Sequence, residues 1–427
     1  MAEKNESYLG KVVTLRYPDY DSYGRLNGGY QLYEDCFIYE QGKLTNGHHC
    51  YSGVMHMNQT ITSQLCIRTS ILPDNIVEIT GDAPMKKHID FMMLGEGMRF
   101  LHNQNTVITI GSDPEVFAVN EKDIVIPAFE FCPPKSEIEE KAKQRIDTKE
   151  CKPFWDGFQA EFLTETHRCL EGLVTDVGRG LLNSYRTLTA KFPTGRLVSD
   201  NLVEIPEAML QMAAEEYVQF GCSPSKNAYK AKPLAIANGR EVPIRAAGMH
   251  IHFGIGATPG KEELVKLLDA SMGIASVAMF GKEEDPRRRE MYGRAGEYRE
   301  PAHGLEYRVL SSAVLQHPYR LHLMVDMGRF VMRLKIAGVL EQMGFEVPDE
   351  NVVQSVINNV DIEGARALLE KNKHFWANFF QLGYGHVEKP WKWLMDGHRK
   401  VGDINKNWQF EDGCSSLGAN TAIRNAQ

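Results

Sequence analysis

The sequence predicts an α+β fold built around an antiparallel sheet. Three observations carry this: short runs of β-branched and aromatic residues parted by turn signals, long segments with apolar residues at every third or fourth position, and no regular strand–helix–strand alternation. At 427 residues, 43% of them hydrophobic and 24% charged, the chain has room for about two to three domains. Its composition is that of a globular protein with a real core.

Residues 1–105 read as a β-rich region without an assigned role. The strand candidates there are 11–17, 29–33, 58–70 and 75–79, separated by Asn27-Gly28-Gly29 and Pro73-Asp74-Asn75. A main domain is expected over 106–413. Within it, residues 106–110 read as one strand, and 116–119 with 124–126 as its partner. Pro114 is expected at a strand start or edge, because proline cannot donate to a central ladder. Residues 133–153 are dense in Lys, Glu and Arg and bounded by prolines; they read as a solvated loop or as a mobile lid. Apolar spacing of three and four predicts helices over 169–192, 262–280, 320–343 and 361–371, the last N-capped by Asp361. Residues 414–427 read as a polar tail.

Charge and cysteine usage narrow the function classes. A net charge of −8 argues against general nucleic-acid binding and against coating an anionic membrane. The longest uncharged helical candidate, 270–281, falls short of the ~20 residues a bilayer requires, and the N-terminal Met-Ala-Glu-Lys-Asn-Glu is no secretory signal. Eight cysteines without a Cys-x-x-Cys pair exclude a zinc ribbon and fit reduced thiols in a cytoplasm.

Four segments place polar or ionisable residues two apart, so that on a strand they project from one face. They are Ser112-Asp113-Pro114-Glu115, Asp156-Gly157-Phe158-Gln159-Ala160-Glu161, Met249-His250-Ile251-His252 and Glu306-Tyr307-Arg308. Each alone has a bland explanation: a solvated face, a packed histidine pair, or a structural ion pair between Glu306 and Arg308. Together they would crowd one face with carboxylates, which then take up protons or bind divalent cations. Oxygen ligands with an occasional imidazole suit Mg²⁺ or Mn²⁺ better than a structural zinc. Just before Glu306, five arginines fall within thirteen residues, among them Arg288, Arg289 and Arg299. That run reads either as a basic surface loop or as a clamp for phosphate.

In this order the motifs resemble the glutamine synthetase and glutamate–cysteine ligase superfamily, most closely its phage branch of type 2 carboxylate–amine ligases. Gly111-Ser112-Asp113-Pro114-Glu115, Asp156-Gly157 with Glu161, Gly221-Cys222-Ser223-Pro224 with Asn227-Ala228, Gly248-Met249-His250-Ile251-His252, Tyr292-Gly293 with Gly296 and Arg299, and Gly304-Leu305-Glu306-Tyr307-Arg308 carry it, over roughly residues 106–400. The resemblance implies a curved antiparallel sheet with helices on its outer face. It also implies ATP-dependent joining of a small-molecule or peptide carboxylate to an amine through an acyl phosphate, with two or three Mg²⁺ or Mn²⁺ ions. Carried over, Glu115 and Glu161 would ligate one metal, with Asp156 left open because it points the other way on a regular strand. Asp113, His250 and Glu306 would ligate another. Arg308 and Arg299 would act on the phosphate with Glu306 beside them, and His252, with Arg288 and Arg289 from the clamp, would lie toward the nucleotide. Asp113 stands where glutamine synthetase has Glu. The rival readings are a structural or binding protein that keeps the fold and a metal-dependent amidohydrolase, which lacks the expected third histidine or cysteine cluster. The expected location is the cytoplasm, the host's if the chain is phage-encoded.

Overall fold

A computed structural model describes residues 108–408, apart from 145–149, 168–169, 220–224, 233–237, 257–259, 337, 339, 342, 385–386 and 398–403. In the first hundred residues it describes six strands alone. Four of these, Val54–His56, Leu26–Ile38, Lys11–Tyr20 and Ile79–Thr80, form one sheet in that order, and His48–Tyr51 pairs with Leu65–Arg68. The segment 221–224 and the tail 414–427 lie outside the described residues.

The main body is α+β, with a nine-stranded sheet whose described pairings are all antiparallel. Across it run Lys226–Asn227, Glu297–Arg299, Leu305–Tyr307, Met249–Gly254, Thr109–Val119, Gln159–Glu161 and Phe154–Asp156; Arg196–Val198 and Val125–Ile126 pair with the far half of Thr109–Val119. Alternation sorts the strands by face. Ile110, Val116, Ala160, Met249, Ile251, Phe253, Tyr298, Leu305 and Tyr307 enter one core with the helices Leu170–Lys191, Lys261–Leu268, Ile274–Phe280 and Pro318–Ile336. Their neighbours turn to the opposite face.

Two expectations are corrected. Residues 109–119 form one continuous strand at the centre of the sheet, with Pro114 in its middle. Proline is accommodated because the neighbouring Glu115 N–H donates toward Gly248 O, at 3.0 Å. The nitrogen of Pro114 therefore faces the other side, where its own carbonyl accepts from Phe162 N at 3.3 Å and Ser112 O accepts from Thr164 N at 3.0 Å, so the pairing continues past the one N–H that proline lacks. The expected helix 262–280 contains a π-helical turn, Asp269–Gly273, between two α-helical pieces. Leu170–Lys191 and Ile362–Lys371 match closely, and Asp361 accepts from Gly364 N at 3.0 Å; the helix expected over 320–343 runs Pro318–Ile336 and gives way to turns at its C-terminal end. Within 133–153 a helix, Lys135–Lys143, buries none of its residues. The span Lys261–Glu283 is long and apolar enough to cross a membrane, yet 94% of its most apolar window is buried inside the protein.

Candidate active site

The face opposite the helices gathers the ionisable residues through cross-strand pairing. His250 lies opposite Asp113, His252 opposite Glu306, and Glu306 opposite Arg299. Glu161 lies opposite Glu115. Directly opposed residues share a face and approach within side-chain reach, so the sheet assembles a row from segments far apart in sequence.

Asp156 joins this row, against the expectation from a regular strand. The chain reverses at Gly157-Phe158, so Asp156 pairs with Gln159 and shares the face of Glu161. Gly157 makes the turn with φ of +61°, and a Cβ there would lie 2.8 Å from Tyr217 O. Counting by twos from 156 to 161 fails because it runs through the turn.

Two clusters result: Asp113, His250 and Glu306, and Glu115, Asp156 and Glu161. Within each, one potential ligand atom per residue lies within 4.8 Å of the others. His250 Nδ1 lies 3.4 Å from Asp113 Oδ2, a long hydrogen bond, and 3.7 Å from Glu306 Oε1, beyond hydrogen-bond reach. Its Nε2 is buried with no hydrogen-bond partner among the described residues. Burial pushes the Asp113 carboxyl up, but the charge on His250 and hydrogen bonds from His250 and His252 outweigh this and hold it well below the usual range. The second cluster behaves oppositely. Burial, then the Glu115 charge, takes Asp156 up to about 6; burial, then Asp113, Glu115 and Asp156, raises Glu161 well above its ordinary value. Lys135, the first residue of the exposed helix, opposes both shifts. Five carboxylates and one imidazole with an unmet nitrogen fit hard divalent cations.

The cationic groups divide. Arg308 is buried and its Nη1 lies 3.1 Å from Glu306 Oε1; Arg299 Nη1 lies 3.6 Å from the same oxygen. Arg288 and Arg289 do not join them, contrary to the clamp expectation. Arg288 donates to the carbonyls of Ala247, Val309 and Leu310 at 2.8–3.1 Å. Arg289 donates to Gly293 O, Val309 O and Glu284 Oε2. Both guanidiniums fasten their own loop to the sheet end, a use that the density of arginines in a sequence cannot reveal.

His252 links the row to a residue that the sequence pattern does not mark. Its Nε2 is 3.1 Å from Asp113 Oδ1 and its Nδ1 is 3.1 Å from His303 Nε2. Burial pulls the His252 pKa down, but the hydrogen bond and charge of Asp113 raise it overall. His303 sits in the connection between two strands, where no periodicity signals a site. Tyr292 escapes in another way: it stands in one of the motifs without a role, yet its hydroxyl donates to Glu115 Oε2 at 2.6 Å.

Residues 225–325 match the family model of phage phiEco32-like COOH.NH2 ligases of type 2. The match agrees with the resemblance carried by the motifs. It spans His250, His252, Arg299, Glu306 and Arg308 and ends short of the carboxylates at 113, 115, 156 and 161. Among solved structures, a bifunctional glutathione synthetase from Pasteurella multocida aligns over 79% of this chain at 12% identity with a TM-score of 0.31. The chain spans 53% of that protein's length, and likeness this weak carries no argument about the site. No curated protein gives a match.

Proposed function

We propose that the chain is an ATP-dependent ligase that joins a carboxylate to an amine, with Mg²⁺ or Mn²⁺ as cofactor. The observation that carries this reading is the row itself: two carboxylate clusters on one sheet face with Arg299 and Arg308 beside one of them. The family match over residues 225–325 supports the ligase class.

In this reading Asp113, His250 and Glu306 hold one cation, and Glu115, Asp156 and Glu161 another. Bound there, the ions would neutralise charge on phosphoryl oxygens. A substrate carboxylate oxygen attacks the γ-phosphorus of ATP and ADP departs. The amine then attacks the acyl carbon, phosphate leaves with the C–O electron pair, and the amine nitrogen gives up a proton. Arg308 and Arg299 donate to the moving phosphoryl group, and His252, braced by Asp113 and His303, lies toward the nucleotide. The route needs no protein nucleophile. That suits Cys132 and Cys151, both buried, whose thiols burial pushes up to about 12.

The test is ADP release with Mg²⁺ over a panel of amino acids and cell-wall peptides, with release that requires both a carboxylate and an amine. Arg308→Lys keeps the charge and loses the planar fork. Turnover should fall roughly 100-fold or more, while stability should drop by about 1–3 kcal/mol because a buried charged hydrogen bond is disturbed. The buried Arg308–Glu306 pair also favours a second reading, a non-catalytic protein that keeps the fold. A melting temperature indifferent to millimolar Mn²⁺ and Mg²⁺, with and without ATP, would count strongly against the ligase and in favour of that reading.

A further inference from the structure

We propose that Tyr292 determines which divalent cation the Glu115–Asp156–Glu161 cluster accepts, by confining Glu115 to ligation through a single oxygen. The inference rests on the metal-binding role proposed above for that cluster and adds a specificity-determining residue to it.

Two donors converge on one atom. Gly248 N and Tyr292 Oη each lie 2.6 Å from Glu115 Oε2. Among the described residues no donor engages Oε1, so Oε1 keeps its lone pairs for a ligand while Oε2 is held by one N–H and one O–H group. The arrangement is built rather than incidental. The Tyr292 ring lies under the Arg288 guanidinium, 4.7 Å from its carbon, and Arg288 is itself tied to three backbone carbonyls. Gly248 supplies the backbone donor and also the space. A Cβ there would fall 2.8 Å from Tyr292 Oη, 3.0 Å from Arg288 Nη2 and 3.3 Å from His250 Nε2. The arginine-rich loop thereby presents a phenol hydroxyl to a carboxylate, which gives its anchoring to the sheet a purpose at the site.

The consequence concerns ion size. Mg²⁺ demands near-octahedral geometry with short bonds, whereas Ca²⁺ is larger and takes carboxylates in bidentate fashion. A glutamate with one oxygen occupied serves the first ion and handicaps the second. Groups that hydrogen-bond to metal ligands tune affinity by roughly 10–100-fold.

Titrating Mg²⁺, Mn²⁺ and Ca²⁺ into the metal-stripped full chain, by calorimetry and by melting-temperature shift, tests this without any assay of turnover. Wild type should bind Mg²⁺ and Mn²⁺ in preference to Ca²⁺. Tyr292→Phe keeps the ring on Arg288 and removes the hydroxyl; its Ca²⁺ affinity relative to Mg²⁺ should rise roughly tenfold or more. Glu161→Gln should weaken all three ions together. A wild type that takes Ca²⁺ as readily as Mg²⁺ overturns the proposal even if the Tyr292 variant fails to fold, as does a folded Tyr292→Phe with an unchanged ratio. Failure of the wild type to bind any of the three ions would instead bring down the metal reading on which the proposal stands.

Discussion

Asp156 and Glu161 keep their protons to higher pH than ordinary carboxylates, and a cation would displace them, which gives the site a pH signature. Asp156 titrates near 6, against about 3.9 for an unfolded aspartate. The folded state therefore binds the extra proton between those values, and the share of stability owed to Asp156 falls as pH rises from about 4 through 6. Asp113 is shifted the other way, so its contribution is lost only below about 4. Asp269, taken up to about 7 by burial despite hydrogen bonds from Tyr307 and Tyr229, adds to the trend of Asp156. Comparison with Asp156→Asn isolates the one residue: on going from pH 7 to pH 5, the metal-free wild type should gain more in melting temperature than the variant. The shift produced by Mg²⁺ should do the reverse and shrink at pH 5, since protons compete for the same oxygens. An Mg²⁺ shift equal at both values would remove Asp156 and Glu161 from the ligand set.

The hairpin Phe154–Asp156 and Gln159–Glu161 shows how an element sets a site. Gly157→Ala puts a Cβ at φ of +61° and 2.8 Å from Tyr217 O. The expected cost is about 1–3 kcal/mol, and the displaced Asp156 should reduce the Mg²⁺-induced melting shift; an unaltered shift would mean that Asp156 is not held by this turn. The same element marks the limit of what could be read from residues alone. Alternation on strands made Asp113 with Glu115, and His250 with His252, legible as pairs facing one way, because period two survives wherever the strand is unbroken. It misplaced Asp156, because a two-residue turn resets the count. It could not show that Arg288 and Arg289 fasten a loop, since a guanidinium reads alike whether it meets phosphate or a backbone carbonyl. The long helices were legible because their apolar residues, three and four apart, enter one core. The unbroken strand through Pro114 was not, because only the assembled sheet shows that one missing N–H leaves the pairing on both sides in place.

At the scale of the molecule, every described partner of the Thr109–Val119 strand comes later in the chain. Among the described residues, the nine-stranded sheet takes no strand from the first hundred. A chain beginning at residue 106 should fold, keep its helical circular dichroism and retain the Mn²⁺-induced melting shift of the full-length protein. Aggregation of the truncated chain would show that the β-rich region completes the same core.

The cross-strand row also has a direction. From one edge of the sheet to the other it passes from Asp156, Glu161 and Glu115, through Asp113 and His250, to Glu306 with Arg299 and Arg308. Along that path, over a few strand spacings of about 4.8 Å, three carboxylates, two of which burial and mutual repulsion push toward the protonated form, give way to one carboxylate beside two guanidiniums. A polyphosphate laid across it meets a ramp, repelled at the acidic edge unless cations travel with it and drawn toward the guanidiniums at the other. Such a polarised surface orients an incoming anion before any contact forms, and its grip should loosen as added salt shortens the reach of the field to about 8 Å and below.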